Sequence, residues 1–218
     1  MIDGKRGLFI VLEGISGGGK NTQVHYVARD LFERSVYENV LVTCEPTDGV
    51  YGRKARLLAE EFRASGKADP FALAREFTAD RLEHGCFFWP LLIRGVHVAC
   101  NRYYHSTYVY QVKQGVPFDQ MREMQRQKTI VRPDLTLLLD VPGSVAAERL
   151  TKRGESGAKV EKIEDLRGRY AALAALLPDE RIEIIDGLGS AGDVFARMKP
   201  HIDALWKERY GSEIKEGR

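Results

Sequence analysis

The sequence predicts a three-layer α/β domain in which a five-stranded parallel sheet is covered by helices on both faces. Three observations carry that expectation. Short apolar runs alternate with longer stretches of helical period along the chain. Four of the five runs are almost continuously apolar, as strands are when both faces of a parallel sheet are covered. Strand–helix alternation also implies right-handed crossovers, which put helices on both sides of the sheet.

The elements follow in order. Residues 8–12 form the first apolar run and residues 22–35 the first helical stretch. A strand at 40–43 precedes helices at 52–64 and 71–94, and Pro90 is expected to end or kink the second of these. A strand at 96–100 precedes helices at 104–114 and 118–128. A strand at 135–139 leads into helices at 144–151 and 160–177, and a strand at 182–185 into a last helix at 191–209. No repeat, low-complexity block or linker interrupts the pattern, so residues 1–218 read as a single domain.

Composition excludes several classes. A chain of 218 residues can bury a full core without disulfides, and its 44% hydrophobic and 29% charged residues are ordinary for a globular protein. The net charge of +2 and the lack of a basic, aromatic-interleaved stripe argue against nucleic acid as a partner. Cys44, Cys86 and Cys100 are scattered and form no CxxC pair, which fits a reduced, cytoplasmic compartment. The apolar run after residues 1–7 is too short for a signal peptide or a membrane span, so no membrane partner is expected. The polar tail from Gly211 is expected to fray. His25, His84, His97, His105 and His201 lack metal-ligand spacing, and His105 reads as a surface histidine. Phe87, Phe88, Trp89, Leu91 and Leu92 read as core, although an exposed face there would suit a dimer.

The strongest local signal is Gly14-Ile15-Ser16-Gly17-Gly18-Gly19-Lys20-Asn21, which follows the first strand and opens the first helix. Glycines let successive backbone N–H groups curl around an anion, and the helix N-terminus adds partial positive charge. The spacing therefore predicts a phosphate-binding loop, the P-loop, with Lys20 reaching the terminal phosphates of ATP. The motif expects Ser or Thr after the lysine as an Mg²⁺ ligand. Asn21 stands there instead, so either its amide oxygen ligates the metal or water does, and Thr22 points away around the helix.

Residues 9–23, Phe9 through Gln23, resemble the start of thymidylate kinases, P-loop kinases of nucleoside monophosphates. Thr43-Cys44-Glu45-Pro46-Thr47 resembles the second-strand segment of that family, and Phe77-Thr78-Ala79-Asp80-Arg81 its base-binding helix. Asn101-Arg102-Tyr103 through Tyr110-Gln111 and Arg132-Pro133-Asp134 through Asp140-Val141-Pro142 resemble two further family segments in the right order. The resemblance implies a P-loop NTPase fold and ATP-dependent phosphorylation of thymidine monophosphate with Mg²⁺. It also implies a homodimer. The alternatives are a kinase for another nucleotide or nucleoside, and a degenerate nucleotide-binding regulator.

By that resemblance Gly14, Ser16, Gly17, Gly18, Gly19, Lys20, Asn21 and Thr22 bind ATP, while Glu45 and Pro46 border the acceptor. Phe77 would stack on thymine, and Arg81, one turn later on the same helix face, would donate to a base carbonyl. The helix alone leaves open a core phenylalanine beside a solvated arginine. Arg102 would clamp phosphate, Tyr110 would lie against the deoxyribose, and Ser106 and Thr107 would add hydroxyl contacts. A lid at about residues 150–160 would bring Arg149 and Arg153 onto the transferring phosphoryl group, since the P-loop itself has no arginine. The sequence departs from the family at Ser16, Asn21, Cys44 and Asn101, where an acid, Ser or Thr, Arg and Asp are usual. Glu13, Glu45 and Asp140 remain as candidates for holding metal-bound water.

Overall fold

The computed structural model describes residues 5–34, 39–66, 69–155 and 159–211. Part of the expected lid, the end of the first helix at Ser35, and the tail beyond 211 lie outside these residues. The five strands are β1 (Phe9–Glu13), β2 (Val40–Cys44), β3 (His97–Asn101), β4 (Leu135–Asp140) and β5 (Ile182–Asp186). They form one parallel sheet in the order β2-β3-β1-β4-β5. The helices are α1 (Lys20–Arg34), α2 (Val50–Ser65), α3 (Pro70–Ile93), α4 (Tyr104–Lys113), α5 (Phe118–Gln125), α6 (Gly143–Lys152), α7 (Val160–Leu176) and α8 (Ala191–Tyr210).

Strand alternation explains the two hydrophobic layers. Phe9 and Val11 point to one face of β1, where they join Phe88, Tyr103, Tyr104 and Leu138. Leu8, Ile10 and Leu12 point to the other face, against Val24, Val27, Met198 and Trp206 of α1 and α8. Every residue of β1 is buried, as its uninterrupted apolar run requires of a central strand. The sheet order reverses at β1, so the segments leaving β1 and β3 converge at the carboxyl edge. In open α/β sheets that crevice is where ligands bind.

Two expectations change. Pro90 lies inside α3 without ending it, and the helix continues to Ile93. Pro90 and Cys86, whose carbonyl loses its helical partner, are both on the exposed side, while Phe88 and Leu92 anchor the opposite side in the core. The fifth helix stops at Gln125, short of residue 128. The starts of α3 and α8 carry sequence-legible caps. Asp69 accepts from the Phe71 N–H before Pro70, and Ser190 with Asp193 forms a capping box.

Candidate active site

The glycine-rich loop joins β1 to α1. Gly14 and Gly17 have φ of 132° and 81°, and a Cβ there would lie 2.6 Å from the Leu139 carbonyl oxygen and 2.5 Å from that of Ala146. Only glycine fits both positions. The Lys20 ammonium donates to the carbonyls of Gly14 (2.9 Å) and Ile15 (2.8 Å), closing the loop over its own side chain. Burial, and then the nearby Arg102 charge, hold its pKa well below the usual lysine range, against an opposing pull from Glu13. Gly18, Gly19 and Thr22 border one small cavity with Arg149 and Arg153. Ser16, Lys20 and Asn21 border a second, of about 160 Å³, with Asn101, Arg102 and Arg153.

Arg102 follows β3 and is the one non-glycine residue with positive φ, 68°, among the described residues. Its backbone N–H donates to the Leu12 carbonyl at 2.9 Å, which ties this turn to β1. Its guanidinium donates from Nη1 to Ser106 Oγ (2.9 Å) and Tyr170 Oη (3.0 Å), and from Nη2 to Ser16 Oγ (3.1 Å). One side chain thus joins the glycine-rich loop, α4 and α7. Tyr170 carried no sequence signal beyond an aromatic at helical spacing. Its hydroxyl is driven well above the ordinary tyrosine range by burial and then by the Glu13 charge, so it stays protonated as a donor.

Beside Arg102 opens a cavity of about 420 Å³. The eight residues expected to bind the acceptor, Glu45, Pro46, Phe77, Arg81, Arg102, Ser106, Thr107 and Tyr110, all border it. Arg56 and Arg63, seven residues apart on one face of α2, also border it, a spacing the sequence displayed without a motif to flag it. Arg81 is 1% exposed and ion-paired to Glu45 at 2.8 Å, which removes the solvated-arginine reading. Asp80, fully buried, accepts from the backbone N–H of Thr47 at 2.9 Å and so fixes the turn after β2.

A family model for thymidylate kinase matches residues 12–198. The chain belongs to the thymidylate kinase family. A probable thymidylate kinase of Pyrococcus horikoshii is 38% identical over 195 residues, covering 87% of this chain and 92% of that protein. One from Methanosarcina acetivorans is 40% identical over 201 residues, with 87% and 92% covered. The crystal structure of thymidylate kinase from Ehrlichia chaffeensis superposes with a TM-score of 0.70 at 25% identity, covering 90% of this chain and 99% of that one. As a thymidylate kinase the chain is a nucleotide-binding phosphotransferase, and its reaction is the phosphorylation of thymidine monophosphate.

Glu13, Glu45 and Asp140 are each hydrogen-bonded to protein donors. Glu13 accepts from the N–H groups of Tyr103 (2.8 Å) and Ser106 (3.0 Å) and from Ser106 Oγ (2.8 Å), capping α4. Glu45 accepts from Arg81 and His84, and Asp140 from Nε and Nη2 on one edge of the Arg167 guanidinium. Among the described residues no group of three or more His, Cys, Asp or Glu side chains could hold a metal. His105 is not on the surface. It is fully buried, with Nε2 2.9 Å from Glu180. The apolar run of α3 divides, with Phe88 and Leu92 in the core and Phe87, Trp89 and Ile93 exposed. Arg149 donates long bonds of 3.4 Å to the carbonyls of Gly17 and Gly187, bridging the loop and the turn after β5.

Proposed function

We propose that ATP lies along Gly14, Ser16, Gly17, Gly18, Gly19, Lys20, Asn21 and Thr22, and thymidine monophosphate in the 420 Å³ cavity, with Arg102 between them. The observation that carries this reading is that Arg102 borders both the phosphate-side and the acceptor-side cavities while bonded to Ser16 and Ser106. A phosphate oxygen of the acceptor attacks the γ-phosphorus of ATP. The new O–P bond forms as the bond to the ADP oxygen breaks, and no protein group need exchange a proton with an acceptor that is already an anion. Lys20, Arg102, Arg149 and Arg153 stabilise the charge on the transferring group. Phe77 stacks on the base, Arg81 donates to it, and Tyr110 lies against the sugar, while Glu45 and Pro46 form the wall behind. Ser106 acts chiefly by holding Arg102, and Thr107 by holding Arg81 at 3.2 Å.

Mg²⁺ fits this donor set only as a weakly held ion. Asn21 Oδ1 accepts from Asn101 Nδ2, and Asn101 Oδ1 is buried without a partner. These two neutral oxygens, completed by water and phosphate, suit an ion that keeps several waters. Bound there, Mg²⁺ would neutralise phosphate charge. We place the enzyme in the cytoplasm on its three free cysteines. We read it as a homodimer through exposed Phe87, Trp89 and Ile93. Residues 1–218 act as one kinase domain with a lid at about 150–160. None of the described helices is long and apolar enough to cross a membrane. The test is ADP release across a panel of nucleoside monophosphates with and without Mg²⁺. Thymidine monophosphate should be the preferred acceptor. Tight binding of both nucleotides with no ADP formed would refute the assignment.

A further inference from the structure

Arg81 is more constrained than its motif implies. Its Nε and Nη2 lie 2.9 Å and 2.8 Å from Glu45 Oε2, and Nη2 also donates to Thr107 Oγ1. Its Nη1 donates to Gln125 Oε1 at 2.6 Å. Three of its nitrogens are thus held by Glu45, Gln125 and Thr107, which fixes the guanidinium plane beside the cavity that Arg81 borders. The Tyr103 and Tyr104 rings lie 5.0 Å and 5.9 Å from the guanidinium carbon.

The arrangement is directional at both ends. Thr78 Oγ1 spends its proton on the Ala74 carbonyl at 2.8 Å, so toward Gln125 it can only accept. It accepts from Gln125 Nε2 at 2.9 Å, which turns the amide oxygen toward Arg81. A reversed amide would set N–H against N–H. At the other end Glu45 Oε1 lies 3.0 Å from His84 Nδ1. A carboxylate only accepts, so that nitrogen carries the proton and Glu45 cannot rotate away. Gln125 is fully buried and does not border the cavity.

We propose that Gln125, oriented by Thr78, is a positioning residue that holds the Arg81 guanidinium in place as donor to the base, so that the site takes a pyrimidine with a carbonyl at C4 and rejects one with an amine. The proposal rests on the base-reading role of Arg81. A C4 amine would face that donor with donors of its own, leaving buried polar groups unpaired.

The experiment compares kcat/KM for thymidine, deoxyuridine and deoxycytidine monophosphates in the parent, Arg81→Lys, Gln125→Met and Thr78→Val. Arg81→Lys should collapse the thymidine-over-cytidine preference. Gln125→Met and Thr78→Val should each lower it roughly tenfold. They should leave the thymidine-over-uridine ratio in place, since those bases share the C4 carbonyl, and a merely structural role would not split the two ratios. If Arg81→Lys keeps the preference, the base-reading role fails and this proposal with it. If Arg81→Lys collapses it while Gln125→Met and Thr78→Val keep it, or shift both ratios equally, the positioning role alone is overturned. Should Gln125→Met not fold, Thr78→Val decides on the same criteria.

Discussion

Lowering the pH from about 7.5 to about 5 should cost the fold ~2 kcal/mol through one side chain, His97. This residue opens β3 and is 1% exposed, packed against Trp206 and Tyr210 with ring centroids 5.4 Å and 6.0 Å away. Its Nδ1 accepts from the Leu8 N–H at 3.0 Å, so the ring proton sits on Nε2, which has no partner. Protonating Nδ1 would break that bond and set donor against donor. Burial first, with Arg209 adding and Asp134 opposing, pushes the pKa from 6.5 down to about 4. The folded pKa is thus depressed below the unfolded one. Below about pH 6.5 the unfolded chain binds a proton that the folded chain refuses, so the stability is fully present above that pH and is lost progressively down to about pH 4. That displacement is worth about 3 kcal/mol in all, of which ~2 kcal/mol is gone at about pH 5. For a chain of this size that corresponds to a fall in Tm of about 4–8 °C. The assay is thermal unfolding at both pH values for the parent and for His97→Asn, which cannot titrate but keeps an oxygen for the Leu8 N–H. The parent should lose more than the variant by that margin. Equal losses would refute the assignment of this acid sensitivity to His97.

Other expectations follow from the site. Lys20→Ala should lower phosphoryl transfer by about 10²-fold or more and weaken ATP binding, measured by single-turnover kinetics and calorimetry. Tyr170→Phe removes a hydroxyl 3.0 Å from Arg102 and should lower kcat/KM roughly tenfold to a hundredfold, with Tm moving by only a few degrees. Activity should keep rising into the millimolar range of Mg²⁺. Asn21→Thr and Asn101→Asp should lower the Mg²⁺ required, non-additively, in rate against Mg²⁺ concentration for both singles and the double.

Local patterns carried the frame of this fold. The β1 run, the glycines behind it and the helix starting at Lys20 are contiguous, so their physics is visible within fifteen residues or so. The network beneath the site is not. Gln125 meets Arg81 from 44 positions away and Tyr170 meets Arg102 from 68, and neither lies in a motif. The same limit explains the carboxylates. Glu13 and Asp140 stand at strand ends where a metal would suit them, but their partners, Tyr103, Ser106 and Arg167, are supplied by tertiary packing. His105 failed for a different reason. Its neighbours in sequence are polar enough for a surface, and only the packing of Tyr104 onto Glu180 seals it inside. Pro90 does not end α3, because it lies on the exposed side while Phe88 and Leu92 anchor the helix, a distinction that rests on tertiary packing.

The register also bears on the departures from the family pattern. Cys44 of β2 is the Cα partner of Asn101 of β3, so the two positions lie side by side at the carboxyl edge of the sheet. Arginine and aspartate there would make an adjacent pair of opposite charges. Cysteine and asparagine make an adjacent neutral pair, and losing both charges together leaves the local sum unchanged. An aspartate at 101 alone would place an unmatched negative charge in the cavity that Lys20 and Arg102 border. Ser16 faces a different neighbour, Arg102. There the hydroxyl accepts from Arg102 Nη2, leaving the guanidinium its full charge where a carboxylate would have paired with it. The site as built gives up attraction for a cation and keeps attraction for phosphate, which is why its need for Mg²⁺ and its grip on nucleotide should be separable in the variants above.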